Sequence, residues 1–133
     1  MTDQPDSTDP GVEGTVARPG GVSYLHIPAQ DVTRSAEFYR DVFGWQLRGH
    51  ADAPSFSDGT GHVIGHWRPG PPAAGDGGIV PYIYVDDLDA TLRAAAERGA
   101  PLVTPPYPEG SLRIATIRDP GGNVVGIWQG GPD

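Results

Sequence analysis

The stretches GTGHVIGHWRP (Gly59–Pro69) and PGGNVVGIWQG (Pro120–Gly130) are two versions of one phrase. At a shift of 61 residues, Asp58 meets Asp119, Gly61 meets Gly122, Val63 meets Val124, Gly65 meets Gly126 and Trp67 meets Trp128. Each version is an Asp/Gly turn running into an apolar strand. Each strand is interrupted by a glycine, which weakens a strand and marks a bulge, a bend or a close approach of another group.

The order of elements around the two phrases also repeats. GVSYLHIPA (21–29) reads as a strand. In QDVTRSAEFYRDVFGW, Asp31 is a good N-cap, Val32, Ala36, Tyr39, Val42 and Phe43 fall at helical spacing, and Gly44 is a natural stop. WQLRGH, PSFSDG and HVIGHW follow as three short strands. After RPGPPAAGDGG the series starts again. IVPYIYV reads as a strand, and DDLDATLRAAAERGA as a helix capped by Asp87 and stopped at Gly99. That helix turns Leu88, Leu92 and Ala95 inward. PLVTPP, SLRIATIR and NVVGIW close the series as strands. Asp31 matches Asp87 at a shift of 56 rather than 61, so the second copy carries about five extra residues, expected in its central hairpin around PPYPEGS. The chain is therefore read as a duplicated βαβββ module. An acidic tail (1–19) expected to be disordered precedes the first module (20–69). A Pro/Gly linker (70–78) leads to the second (79–130), and the two modules form one domain over 20–130.

This pattern resembles the vicinal oxygen chelate superfamily, which includes glyoxalase I, extradiol dioxygenases, and bleomycin- and fosfomycin-resistance proteins. The resemblance covers about residues 21–130. It is carried above all by DVTRSAEFYRDVFGW and by IRDPGGNVVGIWQ. More narrowly, it points to the uncharacterised glyoxalase-related bacterial branch. It implies an α+β fold in which two tandem βαβββ modules curl a mixed eight-stranded sheet around a central cavity, with the helices on the outer face.

In metal-binding members, four strand residues converge on an ion, commonly His from the opening strands and Glu from the closing strands. Carried over through the helices and the closing phrases, those positions fall on Tyr24, Val80, Gly65 and Gly126. This set offers at best one weak oxygen ligand, whereas a divalent ion needs several N or O donors. The expectation is no metal and no cofactor. The two glycines then have two readings that are not exclusive: space cleared for a ligand, or a shared bend needed for strand curvature.

Alternation along the strands predicts a groove face with Tyr24 and His26, Val63, Gly65 and Trp67, Val80, Tyr82 and Tyr84, and Val124, Gly126 and Trp128. Leu25, Ile27, Ile64, Ile83, Val85, Val125 and Ile127 fall opposite, as a seat for the helices. Aromatic rings with polar tips suit a small, flat or apolar molecule. The ligand-binding candidates are Gly65, Trp67, Tyr82, Tyr84, Gly126 and Trp128, with Arg113 available for an anionic group. His62 and His66 share a strand but are expected on the face away from the groove.

Composition narrows the function classes. The chain has 133 residues, no cysteine and no lysine, which excludes thiol and Schiff-base chemistry. A net charge of −8 without a basic stripe argues against nucleic acid and anionic membranes. No apolar run approaches the roughly 20 residues of a membrane span. A cytoplasmic protein, a homodimer by resemblance, is expected. Three functions remain open. One is a metal-free small-molecule binding protein. Another is a metal-independent isomerase, lyase or cyclase using Tyr24 and His26 as acid and base. The third is a metal-dependent glyoxalase- or dioxygenase-type enzyme with relocated ligands.

Overall fold

The computed structural model describes residues 15–50, 52–71 and 79–130. Most of the expected tail (1–14) and of the expected linker (72–78) lies outside them. The first module runs β1 (Tyr24–Ala29), α1 (Val32–Phe43), β2 (Gln46–His50), β3 (Ala53–Ser57) and β4 (Ile64–Pro69). The second runs β5 (Tyr82–Tyr84), α2 (Leu88–Glu97), β6 (Leu102–Glu109), β7 (Leu112–Arg118) and β8 (Val124–Gly130). Each module forms its own mixed four-stranded sheet, in the orders β1-β4-β3-β2 and β5-β8-β7-β6, so the eight strands are divided between two sheets. In each sheet the opening strand runs parallel to the closing one, because a helix connects it to the rest of the module.

The helix boundaries follow the capping chemistry. Asp31 accepts from Arg34 N at 3.1 Å, and Asp87 accepts from Ala90 N at 3.0 Å. Each carboxylate satisfies one of the donors that a helix start leaves unpaired. Gly44 ends α1 with a φ of 75°, where a side chain would be strained. The inward faces differ between modules. Beneath α1 lies an aromatic stack in which Tyr39 meets Trp45 at 4.5 Å, Trp45 meets Phe56 at 4.6 Å, and Phe56 meets Trp67 at 4.9 Å between centroids. Beneath α2 the core is aliphatic: Leu88, Ala95, Ala115, Ile117, Val125 and Ile127. The extra residues of the second copy lengthen its central hairpin, as expected. β6 and β7 have 8 and 7 residues against 5 each in β2 and β3, with register shifts on either side of Thr104. Val16, placed in the expected tail, is only 8% exposed, and Thr15 bonds to Gly61 and His62.

The closing phrases match at a shift of 61, but the strands do not align that way. The turn before β4 closes with Asp58 N donating to Val63 O; the turn before β8 closes with Asp119 N donating to Asn123 O. The first turn is one residue longer. Consequently Leu25 pairs with Gly65 and His26 with His66, while in the second module Tyr82 pairs with Gly126 and Tyr84 with Trp128. A slip of one residue turns every side chain to the other face. Gly65 and Trp67 therefore lie on the helix side, where Trp67 is 4% exposed, whereas Gly126 and Trp128 lie on the groove side. His66, expected away from the groove, stands on the groove side beside His26.

Candidate functional site

Between the modules lies a cleft of about 930 Å³. Leu25, His26, Ile27 and Val63 line it from the first module; Val80, Tyr82, Thr104 and Thr116 are among those that line it from the second. The lining is mostly apolar, with a few hydroxyl, amide, imidazole and carboxylate groups, which is the make-up of a site for a small molecule.

The two modules are tied at one end of this cleft. Asp119 is 3% exposed, and a buried polar group is costly unless its hydrogen bonds are made. It accepts from Gly121 N at 2.9 Å, Asn123 N at 2.8 Å and the phenol of Tyr39 at 2.7 Å. The Asn123 amide reaches both carboxylate oxygens and also donates to Pro28 O at 2.8 Å. The DPGGN turn of the second module is thus knotted to α1 and β1 of the first. The matching carboxylate, Asp58, accepts through Oδ1 from Thr60, Gly61 and Val63 within its own turn and borders the cleft.

On the groove side of the first sheet, Tyr24, His26 and His66 form a cluster. The Tyr24 hydroxyl and His66 Nδ1 are 3.3 Å apart, and the two imidazole centroids 4.3 Å apart. The pKa of His66 is lowered by its burial first, then by His26 and Arg68. The face of the second sheet turned away from α2 carries Tyr82, Tyr84, Gly126 and Trp128, with Tyr84 packed edge-on against Trp128 at 4.9 Å; of these, Tyr82 is among the residues that line the cleft. Arg113, expected to meet a ligand, instead faces α2 and forms a two-pronged pair with Asp89, both contacts at 3.2 Å. Its register partner Gln129 lies on the same side, accepting from Leu88 N.

The glycines do not hold open space. A Cβ on Gly65 would strike the carbonyl of Leu25 and the ring of Phe56; one on Gly126 would strike the ring of Tyr82. The first glycine permits close approach of β1 and the aromatic core, and the second permits a tyrosine to lie across β8. A carboxylate at position 65 would point into the core, so the closing-strand position of the first module that faces the groove is His66. Among the described residues no three His, Cys, Asp or Glu side chains are grouped to share an ion. The two imidazoles and one phenol gathered on the first sheet do not make the four-residue set that the family resemblance implies.

The family model for the Glyoxalase/Bleomycin resistance protein/Dioxygenase superfamily matches residues 21–127. The chain belongs to that superfamily. It is 30% identical over 125 residues to the putative glyoxylase CFP32 of Mycobacterium tuberculosis, covering 84% of this chain and 46% of the relative. It is also 30% identical over 132 residues to the anthracycline biosynthesis protein DnrV of Streptomyces peucetius, covering 85% and 48%. The chain spans about half the length of these curated relatives. Among solved structures, the fosfomycin resistance protein FosX from Mesorhizobium loti superimposes with a TM-score of 0.69 at 17% identity, over 85% of this chain and 94% of that one. The antibiotic binding protein TnmS3 from Streptomyces sp. CB03234 gives 0.64 at 23%, over 84% and 96%. At these identities the likeness to the two structures is one of fold.

No helix among the described residues is long and apolar enough to cross a membrane.

Proposed function

We propose that this protein binds a small, flat, aromatic or apolar molecule in the cleft between its modules, without a transition metal. The observation that carries this reading is the cleft itself, with mostly apolar walls from both modules and a few polar groups to orient a ligand. The 30% identity to the anthracycline biosynthesis protein DnrV favours the same class of ligand, since anthracyclines are flat polycyclic molecules. A homodimer in the cytoplasm completes the reading. It is supported by exposed apolar side chains near the cleft, among them Val22, Ile79, Leu102 and Val103, which a second copy would cover. Native mass spectrometry of freshly purified protein, with elemental analysis of the same sample, tests it. The expected result is a co-purified organic molecule in a dimer and no stoichiometric metal. A tightly held Ni, Zn, Fe or Mn ion overturns the metal-free part.

The second reading, a metal-independent isomerase, lyase or cyclase, is favoured by the contact between Tyr24 and His66 beside His26. A phenol within hydrogen-bond distance of an imidazole can relay a proton, since histidine is the side chain whose ordinary titration lies nearest neutrality. In this reading His66 joins Tyr24 and His26, the pair expected from sequence. Turnover of the co-purified molecule, lost in His66→Ala with binding retained, distinguishes it from the first.

A further inference from the structure

The groove face of the second sheet is built in two rows. Register places Tyr84, Trp128, Ile114 and Tyr107 in one row, and Tyr82, Gly126, Thr116 and Thr104 in the next. The first row is a ridge of large side chains. The second has a hollow at its centre, where a glycine and a threonine stand side by side. The ring of Tyr82 leans into that hollow. Three of its ring atoms, Cγ, Cδ2 and Cε2, are the nearest neighbours of the position a Gly126 side chain would take, so the ring lies along β8 rather than touching it end-on. It nevertheless remains 45% exposed. One face of the ring is seated and much of the rest is in solvent, in a site that borders the cleft.

We propose that the hollow over Gly126 is a seat for a planar aromatic ring bearing a hydroxyl or carbonyl, that Tyr82 occupies it in the absence of ligand, and that Tyr107 is the polar partner of whichever ring is seated. The proposal rests on the reading of the cleft as a small-molecule site and adds where the ring goes and what must move. The hollow has the depth of one ring, because the backbone at Gly126 forms its floor. Tyr82 reaches it from the neighbouring strand by a side-chain rotation, with no change in the sheet. Tyr82 and Tyr107 lie on the same face of the sheet within reach of each other, and the phenol of Tyr82 is held above its ordinary pKa by burial first, then by the charge of and a hydrogen bond with Tyr107, then by Glu109. Tyr107 stands on β6, at the opposite edge of the sheet from β5, so the two tyrosines bridge the groove from both edges. A free phenol entering the cleft could make the same two contacts: ring on glycine, oxygen on Tyr107.

A purely structural role for Tyr82, shielding the glycine backbone of a strand, makes different predictions. The test is binding of 2-naphthol to the full chain, followed by calorimetry, for wild type, Tyr82→Ala, Tyr82→Phe and Tyr82→Ala/Tyr107→Phe. If Tyr82 holds the seat about nine-tenths of the time, vacating it raises apparent affinity about tenfold. Tyr82→Ala should therefore bind 2-naphthol about tenfold more tightly than wild type. Adding Tyr107→Phe should take back about three- to tenfold, the value of one hydrogen bond. Tyr82→Phe keeps the ring but loosens its hold, and should give an intermediate gain; it serves if Tyr82→Ala fails to fold. Equal affinity in wild type, Tyr82→Ala and Tyr82→Phe overturns the seat while leaving the cleft as a binding site. A gain in Tyr82→Ala that ignores Tyr107→Phe overturns the assigned partner. Absence of binding in every folded variant overturns the seat, whereas the cleft reading fails separately, when the purified protein carries no small molecule.

Discussion

The phenol of Tyr39, on α1, donates to Asp119 Oδ2 at 2.7 Å across 80 residues of sequence. Both groups are buried, and the bond joins the helix of one module to the turn of the other. Removing the phenol leaves a buried carboxylate short of one donor. Tyr39→Phe should therefore lower unfolding free energy by about 1–3 kcal/mol, measured by urea denaturation. A change indistinguishable from zero would mean that Asn123 and the turn amides satisfy Asp119 unaided.

The same pair gives an alkaline limit. The Tyr39 pKa is raised well above the ordinary value of 10.0, by burial first and then by the charge and hydrogen bond of Asp119. The folded state thus holds the proton more tightly than the unfolded one. Its contribution is fully present below the ordinary tyrosine range and is lost as pH rises from there through the folded value. Stability measured across pH 8 to 11 should fall on the alkaline side more steeply in wild type than in Tyr39→Phe. Parallel curves would show that Tyr39 does not titrate against folding.

His66 acts on the acidic side. Its pKa is lowered, mainly by burial and then by His26 and Arg68, so the folded state prefers the neutral imidazole. The contribution is present above the ordinary histidine range, near 6.5, and is lost as pH falls below it. The effect is small, because the group is only partly shielded from water. His66→Gln should flatten the decline in melting temperature between pH 7 and 5. A decline as steep as in wild type would refute the assignment.

Much of this was legible in the chain. Asp31, Asp87 and Gly44 mark helix ends through local chemistry, so a sequence window of a few residues contains the whole cause. The duplicated order of elements came from patterns of similar range. The site was less legible because a face assignment depends on register, and register was changed by one residue between Gly61 and Ile64. The phrase repeated in sequence, but the longer turn sent Gly65 and Trp67 into the core and brought His66 to the groove. The pairing of Arg113 is illegible for a related reason: its partner Asp89 is 24 residues away, on a helix whose docking no local pattern specifies. The Tyr39–Asp119 bond depends on long-range packing in the same way.

The two glycines make the sharpest contrast. Were they equivalent, as the repeat suggests, alanine at either position would have the same effect. In the fold they differ in what surrounds them. A Cβ on Gly65 meets the backbone carbonyl of Leu25 and the buried Phe56, and neither can move without shifting β1 or the aromatic stack. Gly65→Ala should destabilise by about 1–3 kcal/mol or more, the range for overpacking a dense core. A Cβ on Gly126 meets only the ring of Tyr82 among its nearest neighbours. That ring is half exposed and can rotate into solvent. Gly126→Ala should cost less than about 1 kcal/mol, the smaller effect expected where a neighbour can yield. It should also make Tyr82 more accessible, read as a higher rate of tyrosine nitration at that residue by mass spectrometry. Thermal unfolding of the two variants side by side decides the matter. A Gly126→Ala protein as unstable as Gly65→Ala would mean that β8 itself cannot accept a side chain there, and that the ring of Tyr82 is fixed in place.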